Sequence, residues 1–415
     1  MVPVPPAALL RQGPAGLAID PAFLALHLKR CRTEKLSFLL AHSHPFSTGR
    51  VAFSGIDDGG ELELMPKCFA RAPLGPHGAI VVGQESISAR VWESATSGAV
   101  ALDRLRVVGG ELTESVLAGR YNGEPAVDAV IFDRQIRAIG LRGMERLRRL
   151  TVAIVGLGGT GSQIFAQLLR LGIRRFILID PDRIGPEGLP RVAGAVPDDS
   201  ANELFKVAVM AREAAAFDPT IEIVELPHSV YDRDVALRLR EADVIFGATD
   251  TMVSRMVLTR VAAQYLVPVI DTGIDIQLDH AGGVRRIGGR VTIIYPDGPC
   301  LDCLGVIDNE QLHREVHGEA LPRGYAGEAV VPAASVVAHN ALVASAAVAA
   351  FVRLVAGPSV PATDRVFWVY DGVRGAVRPV ALRTVRDCAV CPDAHGRGDS
   401  VELPCQGRAV LARSQ

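Results

Sequence analysis

Residues 150–162, LTVAIVGLGGTGS, run from an apolar stretch straight into a cluster of glycines. Residues 151–155 read as a buried strand and residues 163–171 as a largely apolar helix. Between them stand Gly156, Gly158, Gly159 and Gly161, with the first, second and fourth in GxGxxG spacing. That spacing lets backbone N–H groups and the positive end of the helix approach an anion without side chains in the way. A strand, a glycine turn and a helix in this order imply an α/β, doubly wound, Rossmann-like sheet with a nucleotide phosphate at the turn. A nicotinamide cofactor bound by an NAD-dependent oxidoreductase would use the same fingerprint, so the turn alone leaves both readings open.

The residues that follow narrow the choice. Residues 175–179 read as a second strand ending at Asp180 and Asp182, carboxylates about 20 residues past the glycines and placed to accept hydrogen bonds from ribose hydroxyls. Arg191 and Lys206 come from the next segment, and Asp250 closes the apolar stretch ADVIFGATD at the carboxyl edge of the sheet, where such folds bind ligands. A lysine, an arginine and a carboxylate able to hold magnesium suit a triphosphate under cleavage, because negative charge grows on the phosphoryl oxygens. Residues 132–150, FDRQIRAIGLRGMERLRRL, read as one basic amphipathic helical segment leading into the glycine strand.

Over residues 132–393 the chain resembles the ThiF/MoeB/HesA family of ubiquitin-activating-like adenylyltransferases. The arm DRQI with GLRGMERL, the loop VGLGGTGS, and Asp250 followed by Ser254 and Arg255 stand in the family's order. The resemblance implies ATP and magnesium at residues 156–162, Asp180 on the ribose, Arg191 and Lys206 on the phosphates, and Asp250 beside the metal. It also implies that Arg134, on the arm, reaches the nucleotide of a partner subunit, and hence a homodimer. The implied partner is a small ubiquitin-like or sulfur-carrier protein with a C-terminal diglycine, whose carboxylate is adenylated with release of pyrophosphate. At one position the pattern departs: EGLPR stands where the family has SNLxR, so Gly188 replaces an asparagine and removes a hydrogen bond of about 0.5–1.5 kcal/mol.

Two CxxC pairs, Cys300 with Cys303 and Cys388 with Cys391, have the spacing of zinc knuckles. Two knuckles complete a tetrahedral shell with no open position, so the expected role is structural, clipping the C-terminal segment to the nucleotide domain. Cys31, Cys68 and Cys405 read as unreactive, although Cys405, past the second knuckle, is the one placed to move with the tail. In the family that the chain resembles, members that go on to a thioester carry a cysteine in or near the crossover region; residues 185–205 and 304–334 hold none, so the resemblance implies adenylation without a later thioester.

Residues 1–115 read as a smaller α/β domain, with a helix near residues 21–30 and strands at 36–42, 79–82 and 88–93. Its chemistry sits in AHSHPFSTGRVAFSGID, residues 41–57. His42 and His44 are two apart, so an extended strand presents both imidazoles on one face, with Asp57 available as a third ligand and Ser54 to hydrogen-bond the reacting species. HSHP followed by SGID resembles the JAMM (Mov34/MPN) zinc metalloprotease motif, and that resemblance implies a second zinc on His42, His44 and Asp57, with Ser54 assisting the oxyanion. The family's upstream glutamate base has no match: the acidic residues before His42 are Asp20, which reads as a helix N-cap, and Glu34, in a polar connection before the strand. Without a carboxylate to take the proton of water, hydrolytic power falls, and a domain that binds without cutting becomes the alternative.

At 415 residues the chain exceeds one ordinary core, and its 49% hydrophobic content supports full globularity. The expected division is 1–115, a linker at 116–131, the nucleotide domain at 132–393 and a tail at 394–415. A formal net charge of -2 supplies no electrostatic footprint for nucleic acid or an anionic membrane. The N-terminus lacks the pattern of a signal peptide, and the apolar residues 333–356, interrupted by His339, Asn340 and Arg353, read as a buried helix rather than a membrane span. A cytoplasmic, reducing setting follows as the expectation. Residues 327–335 read as mobile, and His280 and His313 as histidines with no partner at ligand spacing.

Overall fold

The computed structural model describes residues 2–13, 16–102, 104–108, 112–116, 127–279, 282–295, 298–318, 334–356, 367–380, 388 and 390–406. His280, most of the expected linker, most of residues 327–335 and the last part of the tail lie outside them. The chain forms two compact units, Met1–Val107 with Thr113–Glu124, and Val108–Leu112 with Pro125–Gln415.

The first unit opens with the antiparallel pair β1 (Leu9–Gly13) and β2 (Gly16–Ile19), then α1 (Pro21–Glu34). Its main sheet has the order β3 (Leu39–Ser43), β4 (His77–Val82), β5 (Ile87–Trp92), β6 (Ala99–Ala101), with α2 (Gly55–Arg71) between β3 and β4. β3 and β4 are parallel and the other pairs antiparallel. Asp20 caps α1 by accepting from Ala22 N at 2.8 Å, with Pro21 at the first helical position. Contrary to the expected connection, Glu34 is the last residue of α1, where an Arg30–Glu34 pair at 2.9 Å supports the final turn and Lys35, in the left-handed region, stops it. The connection expected after residue 105 instead contains a paired ladder, β7 (Arg104–Val108) and β8 (Leu112–Val116).

The second unit continues α3 (Asp133–Ile139), α4 (Leu141–Arg149), β9 (Thr151–Val155), α5 (Gly159–Leu171), β10 (Arg175–Ile179), α6 (Pro197–Ala201), α7 (Lys206–Phe217), β11 (Glu222–Leu226) and α8 (Arg233–Arg238). It ends with β12 (Val244–Gly247), α9 (Met252–Tyr265), β13 (Val269–Leu278), β14 (Val284–Ile294), α10 (Asn309–His317), α11 (Val337–Ala356), β15 (Phe367–Asp371), β16 (Ala376–Pro379) and α12 (Cys391–Ala394). One mixed sheet runs β11-β10-β9-β12-β13-β14-β15-β16, parallel through β13 and antiparallel beyond. Alternation along β9 divides the core: Val152 and Ile154 face the cluster with α5 and α11, while Ala153 and Val155 face the cluster with α9. The basic segment expected as one helix is two, α3 and α4, because Gly140 takes φ +76° between them. α11 is long and apolar enough to cross a membrane, yet Val343, Ala347 and Phe351 bury one face of it against the sheet and α5.

Candidate nucleotide and metal sites

β9 lies between β10 and β12, so the chain leaves it to one side first and returns to the other; this reversal opens a crevice at the carboxyl ends of β9 and β12. The glycine turn occupies that crevice. Gly156 takes φ +87°, and a Cβ there would stand 2.5 Å from Ala248 O, while one on Gly161 would stand 1.8 Å from Gly156 O. These two glycines are therefore required by the backbone itself. Gly159 packs on the carboxamide of buried Asn340, from α11. Gly158 differs: a Cβ on it would meet nothing within 4 Å, so its space is open to a ligand. α5 begins at Gly159, earlier than expected, and no side chain caps it, which leaves the N–H groups of its first turn for an anion.

Asp180 follows β10 and is buried. Its Oδ2 accepts from Leu157 N at 2.6 Å and its Oδ1 from Asp182 N at 2.9 Å, tying it to the glycine turn. Burial pushes its carboxyl above the ordinary carboxylate range against the pull of Lys206. Lys206 Nζ, at the start of α7, lies 2.6 Å from Asp182 Oδ2 and 3.5 Å from Asp180 Oδ1. Arg191 stands over Gly159, and its Nε is buried with no hydrogen-bond partner among the described residues. Gly188 forms the turn before it, accepting from Arg191 N at 3.1 Å. Asp250 is exposed and lies in the loop after β12, beyond the strand that was expected to end on it. Thr251 caps α9, and its hydroxyl donates to Ser254 Oγ at 2.7 Å. Arg134 is exposed on α3. A cavity of about 490 Å³ lies along α5, lined among others by Gln135, Ser162, Phe165, Arg170 and Met210; neither Gly158 nor Asp250 lines it.

The four cysteines converge. Sγ separations of Cys300–Cys303, Cys300–Cys388, Cys303–Cys391 and Cys388–Cys391 are each 3.7 Å, too long for disulfides. A tetrahedron with Zn–S of about 2.3 Å has edges of about 3.75 Å, so the donor set fits zinc. Burial holds the Cys303 thiol up at about 11, so a dication is what would keep thiolates there. Cys405, read as unreactive though placed where it could have moved with the tail, packs on the core near α8, and Gln406 N donates to Tyr231 O at 2.9 Å.

A model of the ThiF family matches residues 132–391. The chain belongs to the ThiF family. It is 27% identical to the SAMP-activating enzyme E1 of Haloferax volcanii over 43% of this chain and 64% of that relative. It is 22% identical to a sulfur carrier protein adenylyltransferase of Thermus thermophilus, over 61% of this chain and 87% of the other. With the ThiS adenylyltransferase of Escherichia coli identity is 25%, over 64% and 95%. Among solved structures, E. coli MccB with ATP superposes at a TM-score of 0.50 and 18% identity, covering 67% of this chain and 77% of that one; this likeness is one of fold.

Outside the ThiF match, the first unit brings His42, His44 and Asp57 together. His42 Nε2 lies 3.2 Å from His44 Nε2 and 3.0 Å from Asp57 Oδ1, and His44 Nε2 lies 3.4 Å from Asp57 Oδ2. Ligands about 2.1 Å from a tetrahedral zinc stand about 3.4 Å apart, so these three fit one face of its shell. Ser54, expected beside the reacting species, is the N-cap of α2: its N–H and hydroxyl both donate to Asp57 Oδ2, at 2.6 and 2.7 Å. Although burial raises the Asp57 carboxyl, those bonds and the two histidines bring it below its usual value. Asp20 and Glu34 are held at the two ends of α1. On α10 the sequence reading missed a pair: the rings of His313 and His317, four apart on one face, stack with centroids 4.3 Å apart.

Proposed function

We propose that this protein uses ATP to adenylate the C-terminal carboxylate of a small ubiquitin-like or sulfur-carrier protein ending in diglycine. The carrying observation is the glycine turn at the switch point with Asp180 and Lys206 on one side and Asp250 on the other. The names of the relatives, adenylyltransferases for sulfur carriers and an E1, support the same substrate class. The uncapped start of α5 and Gly158 would receive the phosphates, Asp180 the ribose, and Arg191 with Lys206 would neutralise charge growing at the α-phosphate as the carboxylate attacks. Asp250 would hold magnesium, which screens the phosphates. The four cysteines would hold a structural zinc. The protein would act in the cytoplasm as a homodimer, with Arg134 serving the partner's site, and without nucleic acid or membrane.

The geometry of His42, His44 and Asp57 supports a second role for the first unit as a JAMM-like zinc domain directed at the same carrier tail. Zinc there would act as a Lewis acid on the scissile carbonyl and on water. Asp20 and Glu34, the acidic residues before His42 in this sequence, are held at the two ends of α1, so the reading is of a domain that grips the tail more than it cuts.

The test is ATP–pyrophosphate exchange with a panel of diglycine-ending carriers, beside Asp250→Ala. Exchange that needs both a carrier and Asp250 supports the reading. Tight NAD binding without ATP binding would replace it with hydride transfer, and ATP binding without exchange would favour a non-catalytic carrier-binding protein.

A further inference from the structure

Behind the loop that bears Asp250 lies a buried charge cluster formed by residues distant in the chain. Asp271, on β13, is fully buried. Arg290 of β14 reaches it with Nη1 at 2.5 Å from Oδ2 and also donates to Thr292 Oγ1 at 3.3 Å. Arg255, in the first turns of α9, approaches from the other side at ion-pair distance, its Nε 3.9 Å from Asp271 Oδ1, neither atom having a hydrogen-bond partner among the described residues. The far end of the same guanidinium donates from Nη2 to Thr249 O at 2.9 Å. Asp250 and Glu315 add negative charge around Arg255, and Glu315 is itself fixed, accepting from Val253 N at 2.9 Å. Thr249 is pressed against the nucleotide turn, its N 3.3 Å from where a Cβ on Gly156 would stand. Its Oγ1 is buried with no hydrogen-bond partner among the described residues, a second sign that this loop is arranged for a ligand.

A carboxylate between two arginines is costly to desolvate, and apolar side chains of similar volume would hold the sheet at least as well. What the ions supply and apolar groups cannot is an electrostatic hold on the Arg255 guanidinium, whose Nη2 makes the directed bond to Thr249 O. We propose that Asp271 and Arg290 are positioning residues that clamp Arg255, which through the Thr249 carbonyl sets Asp250 for the divalent cation accompanying ATP. This rests on the adenylation reading above. The neighbouring residues Thr249 and Asp250 then move as one unit, so loosening the clamp weakens metal use before it weakens contacts to the nucleoside.

The experiment is calorimetric titration of ATP into the full-length protein across a magnesium series and in EDTA, with thermal unfolding of each variant. Asp271→Asn removes the charge that orients Arg255, and Arg255→Lys removes the donor to Thr249 O while keeping the charge. Both are expected to raise the magnesium concentration for half-maximal tightening of ATP by about 10-fold, with affinity in EDTA unchanged. Arg290→Lys, which keeps an ion pair to Asp271, is expected closer to wild type than Arg290→Met. A merely structural role would lower the melting temperature and leave the magnesium dependence of the folded fraction where it was. Folded variants whose magnesium requirement stays within about twofold of wild type overturn the proposal. If Asp271→Asn does not fold, Arg255→Lys decides. Wild-type protein that binds ATP with no magnesium dependence overturns the adenylation reading together with this one.

Discussion

Lys206 is nearly buried, and its ammonium is matched by Asp182 at 2.6 Å and Asp180 at 3.5 Å. Asp182 is largely exposed and able to yield its place, whereas Asp180 is locked to Leu157 N. A phosphate oxygen can therefore displace one partner while the other holds the lysine in position. Lys206→Ala is expected to lower the rate constant for pyrophosphate exchange by about 100-fold or more, with a smaller rise in KM for ATP, because the charge matters most as the phosphoryl oxygens gain charge. Asp180 predicts a pH dependence of two opposite signs. Its folded-state value is raised by burial, so the ionised carboxylate lowers stability at neutral pH, and that penalty is relieved as pH falls through the folded value. Activity needs the carboxylate and moves the other way. Exchange should fall on the acid side at a pH above the ordinary carboxylate range, and Asp180→Asn should remove that limb while lowering the overall rate.

The two CxxC turns come from distant parts of the chain, so an ion held by their four cysteines would tie α12 to the segment after β14. Stripping zinc with a strong chelator should lower the melting temperature of the full chain by about 10 °C, and Cys388→Ser should do the same without a chelator. Metal analysis separates the two centres: with both loaded, wild type carries about two zinc per chain, and His44→Ala and Cys300→Ser about one each. The convergence of both side-chain clusters was legible as spacings, because CxxC and HxH set like donors at short intervals. β9 and β10 were legible to the residue, since a strand buried on both faces is a plain apolar run. α2 was not: residues 58–71 carried no reading, GIDDGG and Pro66 being poor helix formers, and the Ser54–Asp57 capping box and the burial of Glu61, Met65 and Cys68 on one face explain it. The Arg255, Asp271 and Arg290 cluster was equally hidden, because three charged residues on a helix and two strands carry no common spacing and meet only when β13 pairs with β14.

The arm provides the argument about the assembled protein. Phe132 buries its ring against Gly172 at the end of α5, and Gly140 then turns the chain into α4, so α3 is anchored at both ends. Arg134, two residues along, is nonetheless exposed, and Val130 and Ile131, just before Phe132, are among the most exposed large apolar residues described. An anchored helix with an apolar tip and an exposed arginine fits an element meant to meet a second copy. If Arg134 serves the partner's site, Arg134→Ala and Lys206→Ala are each defective alone but complementary when mixed. In a heterodimer one site combines an intact Lys206 with an intact arm from the other chain, while the second site lacks both. Random re-association makes about half the dimers mixed, so unfolding and refolding the two variants together should recover about a quarter of wild-type exchange activity. If Arg134 acts on its own chain's nucleotide, every site in the mixture lacks one residue and no activity returns. Sedimentation of the wild type at the assay concentration completes the comparison, since a monomer there would exclude any contribution of Arg134 across subunits.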